Sequence, residues 1–228
     1  MAKQEKPFIF IDTCSLLDSC WNSDKNDRDK YVYSKEKDER FWGREFASLI
    51  AMGEVIIPKR NYDELVKHAN NPAKPELAER AQHALERVER YYKDGTLQIV
   101  GDANDPFADA IMLSVALKFK TQRHLAFVTQ DRGLAEDLRA ICHFRSLSDH
   151  YGHPKYDIKI RRITKTGELK PFNGLEKALR ERYQEAAQSA SSPAAKKQRS
   201  NAEASRKERK EEKEAPKPKK PRINWWDA

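Results

Sequence analysis

Apolar residues cluster in short continuous runs at 7–11, 54–58, 96–100, 125–129 and 142–147, each of strand length and each rich in Ile, Val, Leu or Phe. Between them, near 35–52, 61–69, 75–93, 106–120 and 132–140, apolar positions recur every three or four residues, the period of a helix with one buried face. Runs that are apolar throughout, instead of alternating, indicate strands covered on both faces. The alternation of such strands with helices predicts an α/β fold: three layers, with a central parallel sheet of about five strands. Pro72 and Pro75 open the third helix, and Asp94-Gly95 turns the chain into the next strand.

Beyond this unit the pattern changes. Residues 157–170 alternate apolar and basic positions around Thr166-Gly167, which predicts a hairpin with one Lys/Arg-bearing face, and a helix is expected near 174–187. From Ser189 onward the chain is rich in Ser, Ala, Lys, Glu and Pro and too poor in large apolar residues to form a core. The expected organisation is therefore a domain at 7–149, a hairpin-and-helix extension at 150–187, and a flexible, charged tail at 188–228.

Four carboxylates fall where the strands end. Asp12 and Asp131 stand just past the first and fourth runs, while Glu64 and Asp109 lie a few residues into the helices after the second and third. The carboxyl ends of parallel strands are where such sheets bind ligands. Four converging acids stay ionised together only around a cation, and a hard divalent ion is the natural one. Each acid also has a structural alternative. Asp12 and Asp131 could cap helices, and Glu64 could close a capping box opened by Asn61. Asp105-Pro106 is itself a good helix start, which leaves Asp109 without capping duty.

Three blocks carry a resemblance: Phe-Ile-Asp-Thr-Cys-Ser-Leu-Leu at 10–17, Asp-Ala-Ile-Met-Leu-Ser-Val-Ala at 109–116, and Phe-Val-Thr-Gln-Asp-Arg-Gly-Leu at 127–134, with Ile57-Pro58 and Asp63-Glu64-Leu65 between the first two. In order and spacing this set resembles the PIN-domain nucleases over about residues 7–149. The resemblance implies a PIN-like fold and a metal-dependent, mostly ribonucleolytic activity. It places the family's acids on Asp12, Glu64, Asp109 and Asp131, which would hold Mg²⁺ or Mn²⁺, and its hydroxyl on Thr129. Cys14 departs from the pattern, since many members carry Asn or Ser there. The charged segment 21–41 is longer than in a minimal member, and within it Asp24, Asn26, Asp27 and Asp29 read as a solvated loop near the mouth of the site.

Charge refines the picture of partners. The chain carries +8, and residues 187–228 hold twelve Lys and Arg against six Asp and Glu, so the tail accounts for +6 of it. Such a tail can gather nucleic acid without reading sequence. It ends in Trp225-Trp226, an unusual pair in a polar segment and a candidate anchor for a protein partner. Cys142, His143, His150 and His153 offer zinc donors at a spacing that matches no common site. Three scattered cysteines, no legible leader and no bilayer-length apolar stretch point to a cytoplasmic setting, or a nuclear one if the source is eukaryotic. The expected function is a metal-dependent endoribonuclease, in RNA processing or a toxin or defence role, acting on RNA with DNA chemically admissible. The competing class is a catalytically inactive PIN-like nucleic-acid-binding or scaffold protein that recruits a partner through its tail.

Overall fold

The computed structural model describes residues 6–24, 27, 30–102, 108–142 and 156–191. Its strands are β1 (Phe8–Ile11), β2 (Trp21–Ser23), β3 (Tyr31–Tyr33), β4 (Glu54–Pro58), β5 (Leu97–Val100), β6 (Leu125–Val128), β7 (Ile158–Ile163) and β8 (Leu169–Pro171). Its helices are α1 (Thr13–Leu17), α2 (Lys35–Arg40), α3 (Phe46–Met52), α4 (Lys59–Ala69), α5 (Pro75–Lys93), α6 (Ala108–Phe119), α7 (Arg132–Ile141) and α8 (Leu175–Ser191). A compact unit of Met1–Leu179 holds the sheet, and a second spans Arg180–Ala228.

The six-stranded sheet runs β5-β4-β1-β6-β7-β8, parallel except for the edge strand β8. Successive residues of a strand point to opposite faces, and each face has its own core. Ile9, Ile11, Val55, Ile57 and Val128 pack with Leu16, Phe46, Leu49, Leu65 and Val88 on one side. Phe10, Ile56, Phe127, Ile158 and Ile160 pack with Met112, Ala116, Leu134 and Leu138 on the other. Helices α1 and α3–α5 thus cover the first face and α6 and α7 the second, the three-layer α/β arrangement expected. No helix of the described residues is long and apolar enough to cross a membrane.

Two expectations are corrected. The strand expected at 142–147 does not begin at Cys142, which caps the C-terminus of α7; residues 143–147 lie outside the described ones. The fifth parallel strand is β7, paired with β6 from Leu125↔Ile158 to Val128↔Arg161 and antiparallel to β8. The 157–170 hairpin is therefore part of the main sheet. It reads as half-exposed because Ile158 and Ile160 are buried against α7 and Leu175 while Lys159 remains exposed.

Of the expected solvated loop, Asp27 is exposed and Asp24 half-buried, while Asn26 and Asp29 lie outside the described residues. Strands β2 and β3 form a small hairpin, and in α2 Lys37 and Asp38 are buried while Lys35, Glu36 and Glu39 stay exposed. The expected 35–52 helix is interrupted by a π-helical turn, Phe41–Glu45. The wider turn brings Phe41, Trp42 and Phe46 inward together, and Tyr91 donates to the Trp42 carbonyl at 2.8 Å.

Lys120, 1% exposed, closes the C-terminus of α7: its Nζ donates to the Ile141 and Cys142 carbonyls at 3.0 Å each. Burial lowers its pKa. Lys120→Met keeps the stem but leaves those carbonyls unpaired, so it is expected to lower stability by about 1–3 kcal/mol in urea denaturation. A change of no more than a few tenths of a kcal/mol would show that water satisfies them equally well.

Candidate functional site

Leaving β1, the chain moves to β4 and β5 on one side and returns to β6 on the other. The crevice beyond the carboxyl ends of β1 and β6 is thus the point where strand order reverses, and Asp12 and Asp131 flank it.

Asp12 is 5% exposed and stands at the N-cap position of α1, yet its side chain makes no capping hydrogen bond. Its Oδ1 accepts from Asn61 Nδ2 at 3.0 Å, and its Oδ2 accepts from Thr129 Oγ1 at 3.0 Å and from the Cys14 thiol. Burial pushes the Asp12 carboxyl above the usual carboxylate range, hydrogen bonds from Cys14 and Thr129 draw it partly back, and the Asp109 charge raises it again. A residue placed for capping but turned elsewhere, and buried with its charge disfavoured, lacks the structural explanation offered for it.

Thr129 links two of the acids. Besides donating to Asp12, its Oγ1 accepts from the Asp131 amide at 3.0 Å. Asp131 does have a structural duty, since its Oδ1 accepts from Leu134 N at 2.9 Å and caps α7. Glu64 Oε2 accepts from Thr13 Oγ1 at 2.8 Å, and Glu64 Oε1 lies 3.8 Å from His68 Nε2. Because α4 begins at Lys59, Asn61 and Glu64 sit inside the helix and form no capping box. Asp109, exposed in the first turn of α6, has its carboxyl raised, by desolvation first and then by the charges of Asp131, Glu64 and Asp137.

The four sequence-derived acids therefore share one electrostatic neighbourhood. They are not drawn into a tight cage: among the described residues, the trio of potential ligand atoms found within 4.8 Å of one another is a different one. Like charges without a counterion stay apart. The donor set is nonetheless all hard oxygen, and Asp12 and Asp109 each hold a proton more readily, through burial first and then through the charge of neighbouring acids. Both observations fit Mg²⁺ or Mn²⁺, which would relieve that repulsion. Asn61 Oδ1, buried and without a hydrogen-bond partner, adds an unsatisfied oxygen beside Asp12.

Several participants are not in the sequence-derived set. Asn61, fully buried, also donates to Thr13 Oγ1 at 3.1 Å and so ties α4 to the start of α1. Its signal was available, because Asn61 stands on the same i, i+4, i+8 stripe as buried Leu65 and Ala69. Asp137 contributes to the field at Asp109. Arg132 pairs with Glu136 at 2.9 Å. Cys14 Sγ accepts from the Gln130 amide at 3.3 Å and fastens α1 to the β6–α7 loop; burial and then Asp12 raise its pKa, so it is a neutral thiol.

A hollow of about 710 Å³ beside β7 contains none of the four acids; it is lined by Arg139, Lys159, Arg161, Lys177, Asp157 and Glu176, among others. Trp225, Trp226, the Asp105-Pro106 start, and His143, His150 and His153 lie outside the described residues. Comparison with protein-family models, with curated proteins and with solved structures yields no match.

Proposed function

We propose that this chain is a PIN-like, metal-dependent nuclease that hydrolyses RNA phosphodiesters at the crevice beyond β1 and β6. The observation that carries the reading is Asp12: a buried carboxylate with raised pKa at the carboxyl end of a central strand, held by Asn61 and Thr129, within the field of Asp109. Asp12, Asp109 and Asp131 would hold Mg²⁺ or Mn²⁺, with Glu64 as a further ligand or as the group that orients water. The bound ion would supply an activated water and balance charge on the phosphate. Asn61 and Thr129 fix the Asp12 carboxylate so that its lone pairs have one direction. Thr13 does the same for Glu64.

Nucleic acid as substrate is supported by the basic excess of the hollow beside β7, where Arg139, Lys159, Arg161 and Lys177 stand against Asp157 and Glu176 and Arg139 is paired with Glu176. Arg161 is in register with Val128, one residue before Thr129, so a positively charged strand borders the acids. Among the described residues His68 lies beside the site, and His83 and His124 contact other elements. With no pair placed among the described residues to drive 2′-hydroxyl cyclisation, the products are 5′-phosphate and 3′-hydroxyl ends. The preference for RNA over DNA rests on the family resemblance.

The test is cleavage of a mixed single-stranded and structured RNA pool with Mg²⁺ or Mn²⁺, against EDTA and against Asp109→Asn and Asp131→Asn. Metal-dependent cutting lost in both variants supports the reading. A second reading is favoured by the capping role of Asp131: a non-catalytic nucleic-acid-binding or scaffold protein whose tail recruits a partner. RNA binding by a folded wild type that never cuts would select it.

A further inference from the structure

We propose that Cys20, Asp38 and His83 form a second metal site, for a thiophilic divalent cation with zinc as the fitting ion. Cys20 precedes β2, Asp38 lies in α2 and His83 in α5, yet one potential ligand atom from each lies within 4.8 Å of the other two. Zinc bonds of about 2.3 Å to sulfur and 2.0–2.1 Å to nitrogen or oxygen place tetrahedral ligands roughly 3.3–3.7 Å apart. Closing the trio takes a movement on the order of 1 Å by that measure. Cys20 Sγ and Asp38 Oδ1 are already 3.2 Å apart.

Each ligand is also held from behind in the way metal ligands are. Asp38 offers Oδ1 to Cys20 while Oδ2 accepts from Arg87 at 2.6 Å and Tyr33 at 2.9 Å. Cys20 Sγ touches Ser19 Oγ at 3.4 Å, and Ser19 is fixed by Trp42 Nε1 at 3.1 Å and by donation to the Leu16 carbonyl at 2.7 Å. The His83 ring packs on Tyr33 with centroids 5.2 Å apart, and its Nδ1 is buried without a hydrogen-bond partner. Buried nitrogens are seldom left unpaired. A cation supplies that partner.

The donor types decide which cation. One thiolate, one imidazole and one carboxylate select zinc over magnesium or calcium, which take oxygen alone. On binding, the Cys20 S–H proton, now donated to Asp38 Oδ1, is released to solvent and a sulfur–metal bond takes its place. The thiolate and carboxylate then balance the dication, and Arg87 stays on the far carboxylate oxygen. Cys20 and Asp38 are 1% and 2% exposed, so the ion would act as a clamp joining the β2–β3 hairpin to α2 and α5, with water in the fourth position.

The experiment is titration of the metal-free full chain with Zn²⁺, and with Co²⁺ as a spectroscopic substitute. One equivalent should bind, raise the melting temperature and, with Co²⁺, give the sulfur-to-cobalt charge-transfer absorption. Cys20→Ser and His83→Gln should abolish that absorption and weaken Zn²⁺ binding by about 100-fold or more. Cys14→Ser, Cys142→Ser and Asp12→Asn should keep it, which separates this site from the carboxylate crevice and its neighbouring Cys14. His83 is only partly buried, so its Gln variant carries the test should Cys20→Ser fail to fold. Absence of stoichiometric binding, or binding undiminished in His83→Gln, overturns the proposal and leaves the trio a hydrogen-bonded core.

Discussion

Asp12→Asn is expected to reduce metal-dependent RNA cleavage by about 10³-fold, the loss of several kcal/mol of charge stabilisation at the metal, while leaving thermal stability unchanged or raised. Asparagine fits the cavity with its hydrogen bonds re-sorted. Its Oδ1 can accept from Asn61 Nδ2, and its Nδ2 can donate to Thr129 Oγ1, which turns from donor to acceptor. What disappears is a buried negative charge that the fold disfavours. The sign follows from the raised carboxyl. Stability conferred by Asp12 is full below its unfolded value, about pH 4, and is lost as pH rises through the higher folded value. Between thermal melts at acidic and neutral pH, metal-free wild type should therefore lose more stability than the variant. Mg²⁺ should stabilise wild type and not Asp12→Asn. A variant that melts much earlier than wild type at neutral pH would return Asp12 to a structural role, and full cleavage would remove it from the metal.

How far the sequence could be read follows from which forces are local. Strands β1, β4 and β6 are buried on both faces, so continuous apolar runs marked them to within a residue, and the amphipathic helices α4, α5 and α7 showed their stripes equally well. Asp12 and Asp131 were legible because they follow such runs. The stripe Asn61 shares with Leu65 and Ala69 was legible, but its bridge to Asp12 and Thr13 was not, because those partners lie 49 and 48 residues away. The burial of Lys37 and Asp38 was hidden for a related reason. Lys37 is paid for by the Trp21 carbonyl and Asn22, and Asp38 by Arg87 on α5. Partners so distant leave no local pattern, and a run of charges reads as a solvated face.

The same non-locality makes a chain ending at residue 149 the sharpest test of the sheet. Such a chain contains the whole span of the family resemblance, yet it should fail to fold, whereas a chain ending at 191 should fold and keep metal-dependent cleavage. Removing β7 turns β6, buried along its full length, into an exposed edge. It also strips Ile158, Ile160, Ile163, Leu175 and Leu179 from the interior, all under 8% exposed. At about 1.5–3 kcal/mol for each buried large aliphatic side chain, the loss is comparable to the entire stability of an ordinary domain, roughly 5–15 kcal/mol. The site would go with it, because the amide of Thr129, the residue that links Asp12 to Asp131, is held by the Arg161 carbonyl at 3.0 Å. Circular dichroism and urea titration of the two truncations decide the matter. Cooperative unfolding of the shorter chain with wild-type helix content would mean that β7 docks on a sheet already complete without it.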